Sequence, residues 1–285
     1  MMEEQIQGLR ELIGKEDKFV NSKFISIASG KGGVGKTNFA VNFAYILANN
    51  FGKKVLLIDA DIGMANVHIL LNADLKKNIK KIIDGENIEN LVMNIKGFDT
   101  LFGFSGIDSI AELEDFRIHK LIYQLNKISQ KYDYIIIDNS PGIGEKVISF
   151  LRASNSSYII TTPEPTAIMD SYALIKSLYK LYRYSRFKIV VNMCKRKFEE
   201  KEVFNKLNFS ANKFLNLNLE LAGKISFSQN LEKCVKEKKL IAEVYPSDPY
   251  TIDLKNIASK EVGEPIKEKN NNFWEKVLTF LKQRV

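Results

Sequence analysis

The chain has 285 residues, 45% hydrophobic and 27% charged, with a formal net charge of +8, which is enough apolar material for one large domain with short appendages. No run approaches the ~20 consecutive apolar residues of a membrane-spanning helix, and the acidic start lacks the basic-then-apolar order of a secretory signal, so the chain is expected to stay in the cytoplasm. Cys194 and Cys234 have neither metal-ligand spacing nor the density of a disulfide scaffold, and the excess of lysine permits attraction to DNA, anionic lipid or nucleotide phosphates without choosing among them.

Residues 1–19 place Ile6, Leu9, Leu12 and Ile13 at helical spacing among charges, a polar helical appendage too small to fold alone. From Phe24 onward, short β-rich runs alternate with longer helical patterns. Phe24-Ile25-Ser26-Ile27, Val55-Leu56-Leu57-Ile58, Tyr134-Ile135-Ile136-Ile137, Tyr158-Ile159-Ile160 and Lys188-Ile189-Val190-Val191 are the clearest strands. Their nearly continuous apolar character suits strands buried on both faces, hence a parallel sheet. Phe39, Phe43, Ala44 and Leu47, and then Ile118, Leu121, Ile122, Leu125 and Ile128, lie on single helix faces. The expectation is a doubly wound, mostly parallel α/β sheet flanked by helices over residues 20–260. A polar linker over 261–272 and a terminal helix over 273–285 follow.

Directly after the first strand stands Gly30-Lys31-Gly32-Gly33-Val34-Gly35-Lys36-Thr37, which satisfies G-x-x-x-x-G-K-[ST] and opens a helical pattern. Glycines let the backbone fold around phosphates with N–H groups pointing inward, and the helix N-terminus adds partial positive charge. Lys36 is expected to reach the β- and γ-phosphates and Thr37 to ligate Mg2+. Asp59 and Asp61 close the second strand and Asp138 closes the Tyr134–Ile137 run. Carboxylates at the carboxyl ends of buried strands are where ligands bind in open α/β sheets, and they could hold magnesium or orient water; any one of them could equally be a turn or cap residue.

These residues resemble the MinD/ParA family of deviant Walker A ATPases. The resemblance rests on the second loop lysine, Lys31, and on Asp59-Ala60-Asp61-Ile62-Gly63-Met64-Ala65-Asn66, and it spans about residues 23–258. It implies the P-loop NTPase fold, ATP/ADP and Mg2+ as ligands, and an ATP-bound homodimer in which Lys31 reaches the partner's phosphates. It further implies Asp61 as the residue positioning the hydrolytic water, Asp59 and Asp138 near magnesium, and Asn192 as the residue that reads adenine. The pattern departs from the family at Asn139-Ser140-Pro141-Gly142, which bears on how hydrolysis couples to conformation, and at Ile225-Ser226-Phe227-Ser228, beside the adenine pocket.

Within that family the chain is similar to FlhG proteins. The run Thr161-Thr162-Pro163-Glu164-Pro165-Thr166-Ala167-Ile168-Met169-Asp170-Ser171-Tyr172-Ala173 carries the likeness, together with Glu4-Gln5-Ile6-Gln7-Gly8-Leu9-Arg10. The second run resembles the Asp-Gln-Ala-x-x-Leu-Arg activator motif, which implies docking on an FlhF-type GTPase through Gln5, Leu9 and Arg10, with Gln5 orienting the partner's attacking water. In the terminal helix, Phe273, Trp274, Val277, Leu278 and Leu281 share one side with cations beside it, a face suited to an anionic inner membrane or to the chain's own domain. The resemblance therefore implies a cytoplasmic, peripherally membrane-associated ATPase that regulates flagellar placement and number with basal-body components as partners, DNA not being among them. A MinD/ParA ATPase for septum positioning or DNA segregation, and a nucleotide-binding scaffold with negligible hydrolysis, are the alternatives.

Overall fold

The computed structural model describes residues 22–61, 67–73, 86–102, 115–263 and 272–282. Gln5, Leu9 and Arg10, and the segment from Ile62 to Asn66, lie outside the described residues.

Eight strands form one sheet in the order β3-β4-β2-β5-β1-β6-β7-β8. They are β1 (Lys23–Ala28), β2 (Val55–Ala60), β3 (Met93–Ile95), β4 (Phe98–Leu101), β5 (Tyr134–Asn139), β6 (Ser156–Thr161), β7 (Phe187–Cys194) and β8 (Glu220–Ser226). All neighbours run parallel except β3 and β4, which form an antiparallel edge. The sheet is thus mostly parallel and doubly wound, as the alternating strand and helix patterns predict. The five apolar runs all lie within strands, and β3, β4 and β8 join them at the two edges.

The parallel pairs need crossovers, and helices supply them on both faces. Among the described residues these are α1 (Lys36–Asn49), the single turn α2 (Val67–Leu70), α3 (Asp115–Ser129), α4 (Glu145–Ala153), α5 (Pro165–Tyr182) and α6 (Glu199–Leu215). They continue as α7 (Gln229–Lys236), α8 (Ile241–Val244), α9 (Pro249–Gly263) and α10 (Phe273–Lys282).

Side chains of each strand alternate between the two faces. Ile25, Ile27, Leu57 and Ile136 point into one core with Phe39, Phe43 and Leu47 of α1 and Leu254 and Ile257 of α9. Phe24, Leu56, Ile58, Ile135 and Ile137 point the other way, against α3 and α10. Each fully buried aliphatic or aromatic side chain contributes roughly 1.5–3 kcal/mol, so the central strands hold the site on a rigid platform. Cys194 and Cys234 are buried free thiols, and burial pushes the Cys194 thiol up to about 12.

One boundary differs from the local sequence reading, and one helix face that it left open between lipid and protein is covered. α9 continues to Gly263, three residues into the stretch read as linker, and Glu261 is buried there. Its carboxylate meets Lys23 Nζ at 2.6 Å, Lys188 Nζ at 2.9 Å and the Tyr158 hydroxyl at 2.5 Å. The apolar stripe of α10 is also occupied by protein: Phe273, Trp274, Val277 and Leu278 are fully buried and Leu281 nearly so. Phe273 stacks on Phe24 with centroids 4.0 Å apart, and Trp274 Nε1 donates to Ser129 Oγ at 3.0 Å. In this conformation that face covers the β1–α3 side of the sheet and is not presented to lipid. No described helix is long and apolar enough to cross a membrane.

Candidate functional site

The phosphate loop leaves the carboxyl end of β1, the strand enclosed between β5 and β6. Gly35, at φ 84°, caps α1 with no side-chain hydrogen bond, and no acidic residue stands in the first turn. The turn's N–H groups therefore face the loop without a competing anion. A Cβ at Gly30 would collide with the Asp170 carbonyl of α5, and one at Gly35 with the Asn192 side chain, so both positions need glycine to let backbone approach closely.

Inside the loop, Lys36 Nζ lies 3.0 Å from Asp138 Oδ1, both side chains buried. Asp59 sits directly beside Asp138 in the β2–β5 register. Burial, then the Asp138 charge, pushes Asp59 up to about 7. Burial also pushes Asp138 up, against the pull of Lys36 and Thr37. Each aspartate keeps its Oδ2 buried without a hydrogen-bond partner. Two adjacent buried carboxylates with an oxygen each to spare, beside the Thr37 hydroxyl, are the oxygen-donor environment that a magnesium ion relieves. The residues present therefore fit that ion.

Asp61 follows at the strand end, where its N–H donates to Asp59 Oδ1 at 3.2 Å and its carboxylate accepts from Ser140 Oγ at 2.8 Å. Asn139 Nδ2 bonds the Ile27 carbonyl at 2.9 Å and ties β5 to β1 at the mouth of the loop. Asn192, in β7, donates from Nδ2 to the Val34 carbonyl at 2.8 Å, so the structure places it as a brace of the loop.

Lys31 points away from its own loop. Its Nζ donates to Glu164 Oε1 at 3.0 Å and Thr166 Oγ1 at 2.9 Å. The ammonium beside it holds the Glu164 carboxyl below the usual range. The sequence reading gave no role to Glu164, Thr166 or Ser140. Pro165 at the first turn of α5 marks a helix start, but nothing local says that the preceding carboxylate holds a lysine of the first loop.

Loop, β2, β5 and β7 thus bring Lys36, Thr37, Asp59, Asp61, Asp138 and Asn192 to one edge of the sheet, with Lys31 at the rim. A family model described as "AAA domain" matches residues 22–191. The chain is 34% identical to the antiactivator FleN of Pseudomonas aeruginosa, over 85% of this chain and 87% of FleN. It is 32% identical to the flagellum site-determining protein YlxH of Helicobacter pylori, over 92% and 91%.

The chain belongs to the FlhG family of MinD/ParA-type P-loop ATPases.

Solved structures of MinD share the fold. MinD in the MinC:MinD cell division protein complex of Aquifex aeolicus superposes with a TM-score of 0.68 at 26% identity, covering 87% of this chain and 98% of that one. MinD of Pyrococcus horikoshii, solved with Mg-ADP, shares the fold at a TM-score of 0.66 and 20% identity, covering 85% and 96%.

Proposed function

We propose that the chain is an ATP-hydrolysing dimerisation switch that sets the placement and number of flagella. The observation carrying this reading is the divergence of the two loop lysines. Lys36 is buried within the loop, whereas the Lys31 ammonium lies at the surface, 3.0 Å from Glu164. A cation aimed away from its own phosphates is suited to those of a second protomer.

In this reading the loop N–H groups of residues 30–37 bind the phosphates, and Lys36 exchanges Asp138 for the β- and γ-phosphate oxygens. Thr37, Asp59 and Asp138 would hold Mg2+, which neutralises charge on the triphosphate. Asp61, its carboxylate steadied by Ser140, orients the water that attacks the γ-phosphorus; the bond to ADP breaks, and phosphate leaves. Lys31 of the second protomer stabilises the charge that develops on the transferring oxygens. Asn192 lines the adenine side.

The flagellar setting is supported by the names of FleN and YlxH, each matched over most of its length. Gln5, Leu9 and Arg10 are assigned to stimulation of an FlhF-type GTPase, and basal-body components are the cargo. Membrane contact is assigned to α10, which must leave its nest against Phe24 to offer Phe273, Trp274, Val277, Leu278 and Leu281 to lipid. Two such helices in a dimer add avidity that one lacks.

The deciding experiment is self-association by light scattering with ATP, ADP or no nucleotide, on wild type and Asp61→Ala. A dimer that forms only with ATP and persists in the variant supports the switch. A monomer under every condition overturns it.

A further inference from the structure

The order of the strands fixes the direction in which a bound nucleotide leaves the cradle. Asp59, Asp61 and Asp138 stand at the carboxyl ends of β2 and β5, on one side of β1. The terminal phosphate and the ion that these carboxylates would hold therefore lie on that side, and the base runs the other way, over β6, β7 and β8. The end of β6 is roofed by α5, whose Asp170 backbone abuts Gly30. The ends of β7 and β8 come next, roughly 10–14 Å from β1 at the spacing of adjacent strands, a distance that a ribose and base attached to loop-bound phosphates can span.

At that edge the protein holds out an aromatic ring. Phe227, just past β8, is 39% exposed, and among the described residues it belongs to none of the apolar cores. A single exposed phenylalanine is ordinary; the framework around this one is not. Its N–H donates to the Cys194 carbonyl at 2.8 Å, which holds it beside the end of β7. On one side, Ser226 donates to Asp253 Oδ2 from its N–H at 2.9 Å and from Oγ at 2.6 Å. On the other, Ser228 Oγ donates to Asp248 Oδ2 at 2.8 Å and accepts from the Asn230 N–H at 3.1 Å, capping α7. Lys195 Nζ lies 4.9 Å from the ring centroid. Met193, at φ 59°, turns the end of β7 so that its methyl lies beside Gly35, which ties this edge to the loop.

The backbone is thus pinned on both sides of a side chain left outside the core. We propose that Phe227 is the platform on which the base of the bound nucleotide stacks, with Lys195 backing the ring. A ring whose backbone is already fixed loses little freedom on binding, and stacking on an aromatic face adds affinity for any base. The Asn192 Nδ2 group is engaged by the Val34 carbonyl, so the ring is the larger attraction offered there. Phe227 lies in the stretch where the chain departs from the MinD/ParA pattern, and the platform is this chain's own. It rests on the reading that the cradle holds a nucleotide.

The test measures binding of Mg-ADP and of Mg-tripolyphosphate, which carries phosphates and no base, to the full chain by calorimetry. Phe227→Ala is expected to weaken Mg-ADP about tenfold and to leave tripolyphosphate unchanged. Phe227→Tyr, which keeps the ring, is expected to bind both as the wild type does. Phe227→Trp adds a reporter at the platform: its emission, taken as the difference from the wild type, is expected to be quenched by Mg-ADP and not by Mg-tripolyphosphate.

Equal Mg-ADP affinity in wild type and Phe227→Ala, or an indole at this position that Mg-ADP leaves unquenched, overturns the platform and leaves the nucleotide reading standing. A wild type that binds neither ligand overturns the nucleotide reading itself, and the platform with it.

Discussion

Lys31 reaches across from the first loop to Glu164 at the head of α5, 3.0 Å away, and Thr166 takes a second bond from the same ammonium. The two chain positions are 133 residues apart, and this contact parks the lysine at the rim. If the parked lysine must let go when two protomers meet, weakening the clamp changes assembly and not folding. Glu164→Gln with Thr166→Val is expected to promote ATP-dependent dimerisation several-fold while leaving the melting temperature where it is, because an exposed ion pair adds little to stability. Sedimentation across a concentration series checks it; an unchanged dimerisation constant means that the clamp restrains nothing.

Removing the ammonium itself has a different outcome. Lys31→Ala is expected to lower kcat by about 10²–10³-fold, the usual loss when one preorganised charge donor to a transition state is deleted. Nucleotide affinity of the monomer stays close to wild type, since the side chain points out of its own loop. Single-turnover hydrolysis alongside nucleotide binding separates the two effects. Full turnover by the alanine variant would contradict a catalytic role for Lys31.

Glu261 answers two buried lysines, and breaking such a group leaves unpaired charge inside the protein. Glu261→Gln is expected to cost about 3–5 kcal/mol in urea unfolding at pH 7. Burial alone would raise this carboxyl, but Lys188 and Lys23 outweigh it and hold it below its usual range. A depressed carboxylate contributes stability that is present above its unfolded value, about 4.3, and is lost as pH falls through the folded value. Wild type should lose this part of its stability below about pH 4, whereas the glutamine variant should show a flatter acid limb. Identical acid profiles would remove Glu261 as the cause.

The chain has a single tryptophan, and it lies at the centre of the α10 contact. Trp274→Ala is expected to destabilise the domain by about 3–5 kcal/mol through the cavity it leaves, along with the bond to Ser129. In the wild type the same indole reports where α10 goes. With ATP and vesicles of brominated anionic lipid, its emission should be quenched, and with ADP it should not. Vesicle association without quenching would show that another surface touches the membrane.

Much of the loop's place in the fold could be read from the chain, because it is one contiguous segment between a strand and a helix whose glycines have local jobs. The central strands were equally plain, since burial on both faces leaves an unbroken apolar run. Edge strands lack that mark: β8 is only partly buried, and β3 with β4 is a short hairpin turning through Lys96 and Gly97, both at positive φ. Glu261 and Glu164 were opaque for a different reason. Their partners stand far away in the chain, and local composition makes a charged residue look like solvent-facing surface. The α10 stripe poses a third kind of problem, because an apolar helix face is the same whether Phe24 or a lipid tail will cover it. Gln5, Leu9 and Arg10 lie beyond the described residues, so their motif stands on the sequence alone.

The position of β1 has a consequence for the birth of the molecule. Among the described strands this one comes earliest in the chain, yet its neighbours are β5 and β6, and the brace on its loop comes from Asn192 in β7. Until more than half of the chain has been synthesised, the phosphate loop has no walls. The pairings that build it are long-range, and closing them is slow compared with forming the local helices. Nucleotide capture is therefore a late event in maturation, and a truncated or stalled chain carries the Walker sequence without a competent cradle. The ATPase is in this way kept from acting before it is whole.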